Sequence, residues 1–189
     1  SLATWTATPG TQLFRVHPVR YAHELLYFGR RSQGRFNAPA GEFGVLYAAP
    51  DPHTAFPETF GREAGLRVLS SVLLDEYCLM RLRVVRELQL IDVSGSGFRR
   101  LGADGRVTSG DHEVARRWSI ALWQHPLRTD GLRWRSRFDD SRFCADLYDR
   151  ADSRLSAANL GTLGTTAHTS RPGSLLATSA SSLAWPAVR

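Results

Sequence analysis

The 189-residue chain contains no lysine; all 24 of its basic residues are arginine. That absence excludes Schiff-base chemistry and the phosphate-gripping lysine of a P-loop, both of which need a primary amine. Cysteine is almost as scarce. Cys78 and Cys144 stand 66 positions apart, which suits neither a disulfide framework nor a metal cluster, so both are expected to be small core residues. No apolar run approaches the roughly 18 residues that cross a bilayer. The opening SLATWTATPG has neither the basic nor the apolar region of a secretory leader. The expectation is a cytosolic protein without a membrane segment. Because the first residue is Ser, a short piece of the natural N-terminus is expected to be lost or replaced.

What is present is enough apolar material, 42% of residues, for one sizeable core in one domain. The net charge is +6 and unevenly spread: residues 1–77 carry seven Arg against seven acids, residues 78–189 seventeen against eleven. The arginines are nevertheless scattered among acids, as in RWRSRFDDSRF, with no block of five or six like charges. This is the pattern of a solvated basic face able to meet an acidic protein or ligand. It gives no support to a direct nucleic-acid surface.

Short apolar alternations predict strands at TQLFRVHP, VLYAA, CLMRLRVV, LQLIDVSG, GLRWRSRF and FCADLYD. The stretch Val19–Phe28 reads as helical, and GRRSQGRFNAPAGEFG as loop. Asp51-Pro52 has the form of a helix N-cap followed by Pro at the first helical position, opening a helix that carries Glu58. Pro57 pushes the expected start of that helix toward Thr54. SGSGFRRLGADGR reads as loop, and DHEVARRWSIALW as a helix capped by Asp111 that buries Val114, Ala115, Trp118 and Leu122. From Ala151 the composition turns to Ser, Thr, Ala, Gly and Leu with almost no acids, and residues 151–189 read as a C-terminal lobe or tail beyond a domain at 13–150. No internal repeat appears, and the order of elements suggests an α+β domain.

Chemistry concentrates in GRFNAPAGEFGVLYAAPDPHTAFPETF, residues 34–60. Arg15 lies on a strand face, and Arg35 sits between a glycine and an aromatic. Two guanidinium groups close together would grip a diphosphate bidentately, although an isolated Arg is more often surface charge. Tyr47, beside Ala48 and Ala49, leaves room for a flat ring to stack, although alone it would pass for a core tyrosine. Glu58 is the most informative of these residues, because among Ala, Phe and Pro a carboxylate is costly without a partner or a task. One carboxylate suits cleavage of an N-glycosidic bond whose leaving group is already cationic. Nicotinamide leaves NAD without a general acid, and the enzyme needs only a negative group beside the ribosyl cation as it forms.

LFRV, GRFNAP, VLYAA with the following TAFPETF, and DGLRWRSRF, in this order, resemble the successive motifs of the RES domain, the toxin half of RES-Xre toxin-antitoxin systems. The Arg, Glu and Ser of that family's name match Arg35, Glu58 and Ser136. The resemblance runs from about Leu13 to Tyr148, with intervals of 20, 12 and 11 positions from Arg15 to Arg35, Tyr47 and Glu58. It implies a single-domain ADP-ribosyltransferase-like fold with a central split or mixed sheet and flanking helices. The activity it implies is destruction of NAD by hydrolysis or phosphorolysis, with phosphate then a co-substrate, or transfer of ADP-ribose to a protein. By motif position Glu58 is the catalytic carboxylate, Tyr47 the stacking residue, Arg15 and Arg35 the phosphate and ribose contacts, and Ser136 a polar contact near the nicotinamide or phosphates. Asn37 of GRFNAP is placed among the substrate contacts. Val16 stands where some relatives offer a second tyrosine, a role left to Tyr21 or Tyr27. The implied partner is an Xre-type antitoxin that covers the cleft with an extended, acidic segment.

His17, His53 and His125 have no ligand spacing among them, so no metal is expected. His17 alone stays among the substrate contacts, because it shares a strand face with Arg15. The competing reading is a non-enzymatic basic binding module. It predicts indifference to loss of Glu58 and a strong salt dependence.

Overall fold

Side-chain alternation along the strands sorts them into two sheets that share one core. The computed structural model describes residues 1–30, 34–61 and 69–165. Strands β1 (Thr4–Ala7), β3 (Val45–Ala48), β5 (Leu88–Asp92), β6 (Gly131–Arg135) and β7 (Phe143–Tyr148) form one sheet in the order β1-β5-β6-β7-β3. Strands β2 (Gln12–Pro18), β4 (Tyr77–Val84) and β8 (Leu155–Thr162) form the other, in the order β2-β4-β8. Among the described strands only the β5–β6 pairing is parallel. Leu13, Leu82, Val84 and Leu155 of the smaller sheet meet Leu46, Leu88, Leu90, Ala145 and Leu147 of the larger one in a dry layer. The opposite face of the larger sheet, with Val45, Ile91, Leu132 and Tyr148, packs on Ala115 and Leu122 of the long helix α5 (His112–Gln124). This is the α+β single-domain arrangement that the sequence implied.

The helices are α1 (Pro52–Phe60), α2 (Ser71–Asp75), α3 (Ser96–Leu101), α4 (Arg106–Ser109) and α5 (His112–Gln124). Asp51 caps α1 by accepting the Thr54 N–H at 2.8 Å, so the helix begins at Pro52 and keeps Pro57 inside it. The delayed start near Thr54 is corrected. Pro57 forfeits only the bond to the carbonyl of His53, a residue that solvent reaches.

Three further expectations are corrected. Val19–Phe28 is not a helix. Only Val19–Tyr21 makes a 3-10 turn, and the segment is held instead by the parallel stacking of Tyr21 on Tyr27, with ring centroids 5.4 Å apart. The loop SGSGFRRLGADGR contains α3 and the start of α4; its glycines act as caps, Gly95 at φ 46° and Gly102 at φ 69°, conformations that glycine adopts without strain. In α5 the buried side chains are Ala115, Ser119 and Leu122. Trp118 is only partly covered, and Val114 is exposed.

Residues 155–162, on the far side of the boundary at 150 drawn from composition, form β8 and pair along β4 from Val84 to Cys78. Residues 166–189 lie outside the described residues. Cys78 and Cys144 are both reduced and buried. Among the described residues no helix is long and apolar enough to cross a membrane.

Candidate active site

The cleft opens where the two sheets part. β2 is bridged at Phe14 to Ala49, the residue that follows β3, with both backbone hydrogen bonds at 2.7 Å, while the two strands belong to different sheets. Helix α1, which follows β3 directly, closes one side by packing along β2, with Ala55 against Val16 and Ala49. The enclosed space is about 290 Å³. Its walls carry Arg15 from β2, Arg35 from the preceding loop, Tyr47 from β3 and Glu58 from α1. Ala55, Glu58 and Thr59 all face it, as positions i, i+3 and i+4 of a helix should.

Glu58 is half-buried, and its Oε1 accepts a hydrogen bond from Ser136 Oγ at 2.6 Å. Ser136 is itself held from behind. Its Oγ accepts the backbone N–H groups of Phe138 at 3.2 Å and Asp139 at 3.4 Å, so the hydroxyl proton is committed to Glu58. Ser136 is 2% exposed. It meets the cleft through Glu58.

Tyr47 is equally constrained. Its hydroxyl accepts the Phe36 N–H at 3.0 Å and donates to Asn37 Oδ1 at 2.9 Å. Asn37 stands behind the ring rather than on the cleft wall, buried, with its amide nitrogen bonded to the Gly29 carbonyl at 2.7 Å. Gly34 must lack a side chain, since a Cβ there would lie 2.3 Å from the Tyr47 hydroxyl. The outcome is an aromatic ring pinned at its hydroxyl end beside the small residues Ala48 and Ala49.

Arg35 donates from Nη1 to the carbonyl of Gly110 at 2.6 Å, which ties the loop to the end of α4. Arg15 donates from Nη1 to the Tyr27 carbonyl at 3.0 Å, and its buried Nε meets no acceptor. Removal from water lowers its pKa to about 10, so it remains cationic at neutral pH. Among the described residues it makes no ion pair. A desolvated cation of this kind is a strong attractor for an anion.

His17 shares the strand face of Arg15 but does not reach the cleft. It is buried, bonded through Nε2 to the Tyr21 carbonyl at 3.1 Å, and packed against the rings of Tyr21 and Tyr27. Burial, reinforced by the charge of Arg15, lowers its pKa to about 4. It is therefore a neutral wedge behind Arg15.

The sequence reading missed several cleft residues. Trp134 and Cys144 form part of the floor, and Thr108 and Arg137 line the walls. Trp134 stands two positions before Ser136 in DGLRWRSRF, so its strand period would have found it. Cys144 is no nucleophile: burial first, then the negative field of Glu58, pushes its thiol pKa far up. Asp146 is fully buried on β7. Burial is also the main reason that its pKa is raised well above the usual carboxyl range, with Glu58 adding to the rise while the Trp134 N–H and Arg35 oppose it. Among the described residues no cluster of three or more His, Cys, Asp or Glu could hold a metal ion.

A cleft that brings together Arg15, Arg35, a pinned Tyr47 and a Glu58 held by Ser136 invites comparison with known proteins. A model of the RES domain family matches residues 12–165. The chain belongs to the RES domain family. Across 91 residues, 48% of this RES protein and 71% of its relative, it is 30% identical to the probable toxin y4kH of Sinorhizobium fredii (strain NBRC 101917 / NGR234). Its fold matches a chain in the crystal structure of the M. tuberculosis MbcT-MbcA toxin-antitoxin complex, with a TM-score of 0.62 at 16% identity over 82% of this chain and 87% of that one. The fold is thus shared where little of the sequence is.

Proposed function

We propose that this RES protein is the toxin of a toxin-antitoxin system and that it cleaves the nicotinamide-ribose bond of NAD. The observation that carries the reading is the carboxylate of Glu58, fixed by Ser136 at 2.6 Å, in the same cleft as Arg15, Arg35 and Tyr47. Arg15 and Arg35 would take the diphosphate, and the ring of Tyr47 would stack against the nicotinamide. Glu58 would stand beside the anomeric carbon. As the glycosidic bond lengthens, positive charge passes from the pyridinium to the ribose, and a fixed negative group there lowers the barrier without moving a proton. The acceptor is water or phosphate, giving ADP-ribose or its 1″-phosphate; a protein side chain as acceptor would make the enzyme a mono-ADP-ribosyltransferase.

Names of the relatives support a toxin role and a protein partner. An enzyme that consumes NAD must be silenced in its own cell. Arg15, Arg35 and Arg137 line the cleft, so an antitoxin of the Xre type would cover it with an extended acidic segment, charge meeting charge. The deciding experiment is incubation of the purified chain with NAD, with and without phosphate, followed by identification of products. Release of nicotinamide supports the reading. Unchanged NAD under both conditions, from a demonstrably folded protein, contradicts it.

A further inference from the structure

Beneath the cleft floor lies a carboxyl group that the mechanism above does not use. Asp146 is 0% exposed, and neither of its oxygens has a hydrogen-bond partner. A buried polar group without a partner is costly enough to ask what it serves. Its position is set by strand register. On β7 the residues Cys144, Asp146 and Tyr148 point to one face, and Asp146 lies directly opposite Tyr47 on β3 and Leu132 on β6, while Cys144 lies opposite Trp134. Tyr47, Trp134 and Cys144 all line the cleft. Asp146 is therefore about 5 Å, one strand spacing, from the strand of Tyr47, and about 7 Å along its own strand from Cys144. It is enclosed by the side chains on which a flat ring would rest.

The ionisable groups that face it are Glu58 from α1, Arg35 from the loop before β3, Tyr47 from β3, and Cys144 and Tyr148 from its own strand. Strand β6 turns Leu132 and Trp134 toward it, and α5 buries only the uncharged Ala115, Ser119 and Leu122. Desolvated by burial beside the negative Glu58, the carboxyl stays protonated, because the opposing pull of the Trp134 N–H and Arg35 is the weaker influence. What would change that is a cation placed on the floor above it.

We propose that Asp146 is a proton-linked counter-charge for the ligand: neutral in the ligand-free protein, it gives up its proton when the cationic nicotinamide ring settles over Tyr47. The inference rests on the reading of the cleft as an NAD site. The balance is simple. The carboxylic acid and NAD become a carboxylate, bound NAD and one proton released to solvent. After cleavage nicotinamide departs neutral, the cation is gone, and Asp146 takes a proton back. The same diphosphate that engages Arg35 weakens a positive influence on Asp146, so a ligand with the diphosphate and no cationic ring releases no proton. Asp146 acts here as a positioning residue for the charged ring, favouring its binding rather than bond breaking.

The test is calorimetric titration of the whole protein at pH 7 and 8, in buffers of different ionisation enthalpy. The probes are carba-NAD, which keeps the pyridinium and resists cleavage, NADH, whose ring is neutral, and ADP-ribose. Carba-NAD is expected to release about one proton per site, and its Kd to tighten by up to about tenfold per pH unit, while the other two release none. Asp146→Asn matches the shape and neutrality of the protonated acid; it should abolish the release and raise KM for NAD with kcat little changed. Release by NADH equal to that by carba-NAD, or heat of carba-NAD binding independent of buffer at both pH values, overturns the proposal while leaving the NAD reading intact. Undiminished release from a folded Asp146→Asn protein does the same. Failure of all three nucleotides to bind sinks both together. The wild-type titrations decide the matter even should the variant not fold.

Discussion

Ser136→Ala is the perturbation that most sharply separates a positioned carboxylate from one that is merely present. It removes one hydroxyl that makes three hydrogen bonds: a donation to Glu58 Oε1 at 2.6 Å and acceptances from Phe138 N–H at 3.2 Å and Asp139 N–H at 3.4 Å. A hydrogen bond to a charged group contributes about 1.5–3 kcal/mol. If that fixes the carboxylate for the transition state, its loss lowers kcat by about 10- to 100-fold, at 1.36 kcal/mol for each factor of ten. The two N–H groups belong to a turn near the surface and regain water in part, so folding stability falls by only about 1–2 kcal/mol. NAD contacts from Arg15, Arg35 and Tyr47 are untouched, and KM stays within a few-fold. The assay is steady-state nicotinamide release, with thermal melts to verify folding, in both the wild-type and the Glu58→Gln background. Acting through Glu58, the substitution should cost little further once that charge is gone. An equal loss in both backgrounds, or a kcat within twofold of wild type, would refute the argument that Ser136 works through Glu58.

Three further outcomes are expected. Arg35→Ala removes a cleft cation present in ground and transition states alike, so it raises KM for NAD with a smaller effect on kcat, as read from Michaelis curves. Gly34→Ala puts a Cβ within 2.3 Å of the Tyr47 hydroxyl and 2.4 Å of Asn37 Oδ1; the ring must move, KM rises, and loss of the Tyr47–Asn37 bond lowers stability by about 1–3 kcal/mol in denaturant titrations. His17 has a folded pKa of about 4 against 6.5 unperturbed. Its contribution is therefore complete above about pH 6.5 and is lost as pH falls toward 4, because only the unfolded chain accepts the proton in that window. His17→Gln should melt with a shallower acid-side decline between these pH values than wild type.

Much of this architecture was legible because its elements obey local rules. β4 alternates Cys78, Met80, Leu82 and Val84 against Arg81 and Arg83, and the first four are buried while the two arginines are exposed. Helices α1 and α5 announced themselves through Asp51 and Asp111, each of which caps its helix through the side chain. Elements made by tertiary pairing were hidden. β8, LSAANLGT, has no clean alternation, and only its register with β4 makes it a strand. Around α3 the glycines that read as loop punctuation are its two caps. At the site, Arg15, Arg35, Tyr47 and Glu58 were readable as an ordered set and meet in one cleft. What no local pattern could supply was the link between Glu58 and Ser136, 78 residues apart in sequence. Nor could it show that Asn37 and His17 support the walls from behind. Asp146 had a signal that was passed over: it breaks the apolar face that Cys144 and Tyr148 share on β7.

The central claim is that the charge of Glu58, held in place by Ser136, breaks the nicotinamide-ribose bond. Its most direct test is the turnover of Glu58→Gln, a change that keeps size and most hydrogen bonding and removes only the charge. The account predicts nicotinamide release from NAD by the wild-type protein and a kcat lower by about 10²-fold or more in the variant, the scale for loss of one electrostatic stabiliser, with KM hardly moved. Near-normal turnover by a folded Glu58→Gln protein would contradict it and leave the carboxylate a structural partner of Ser136.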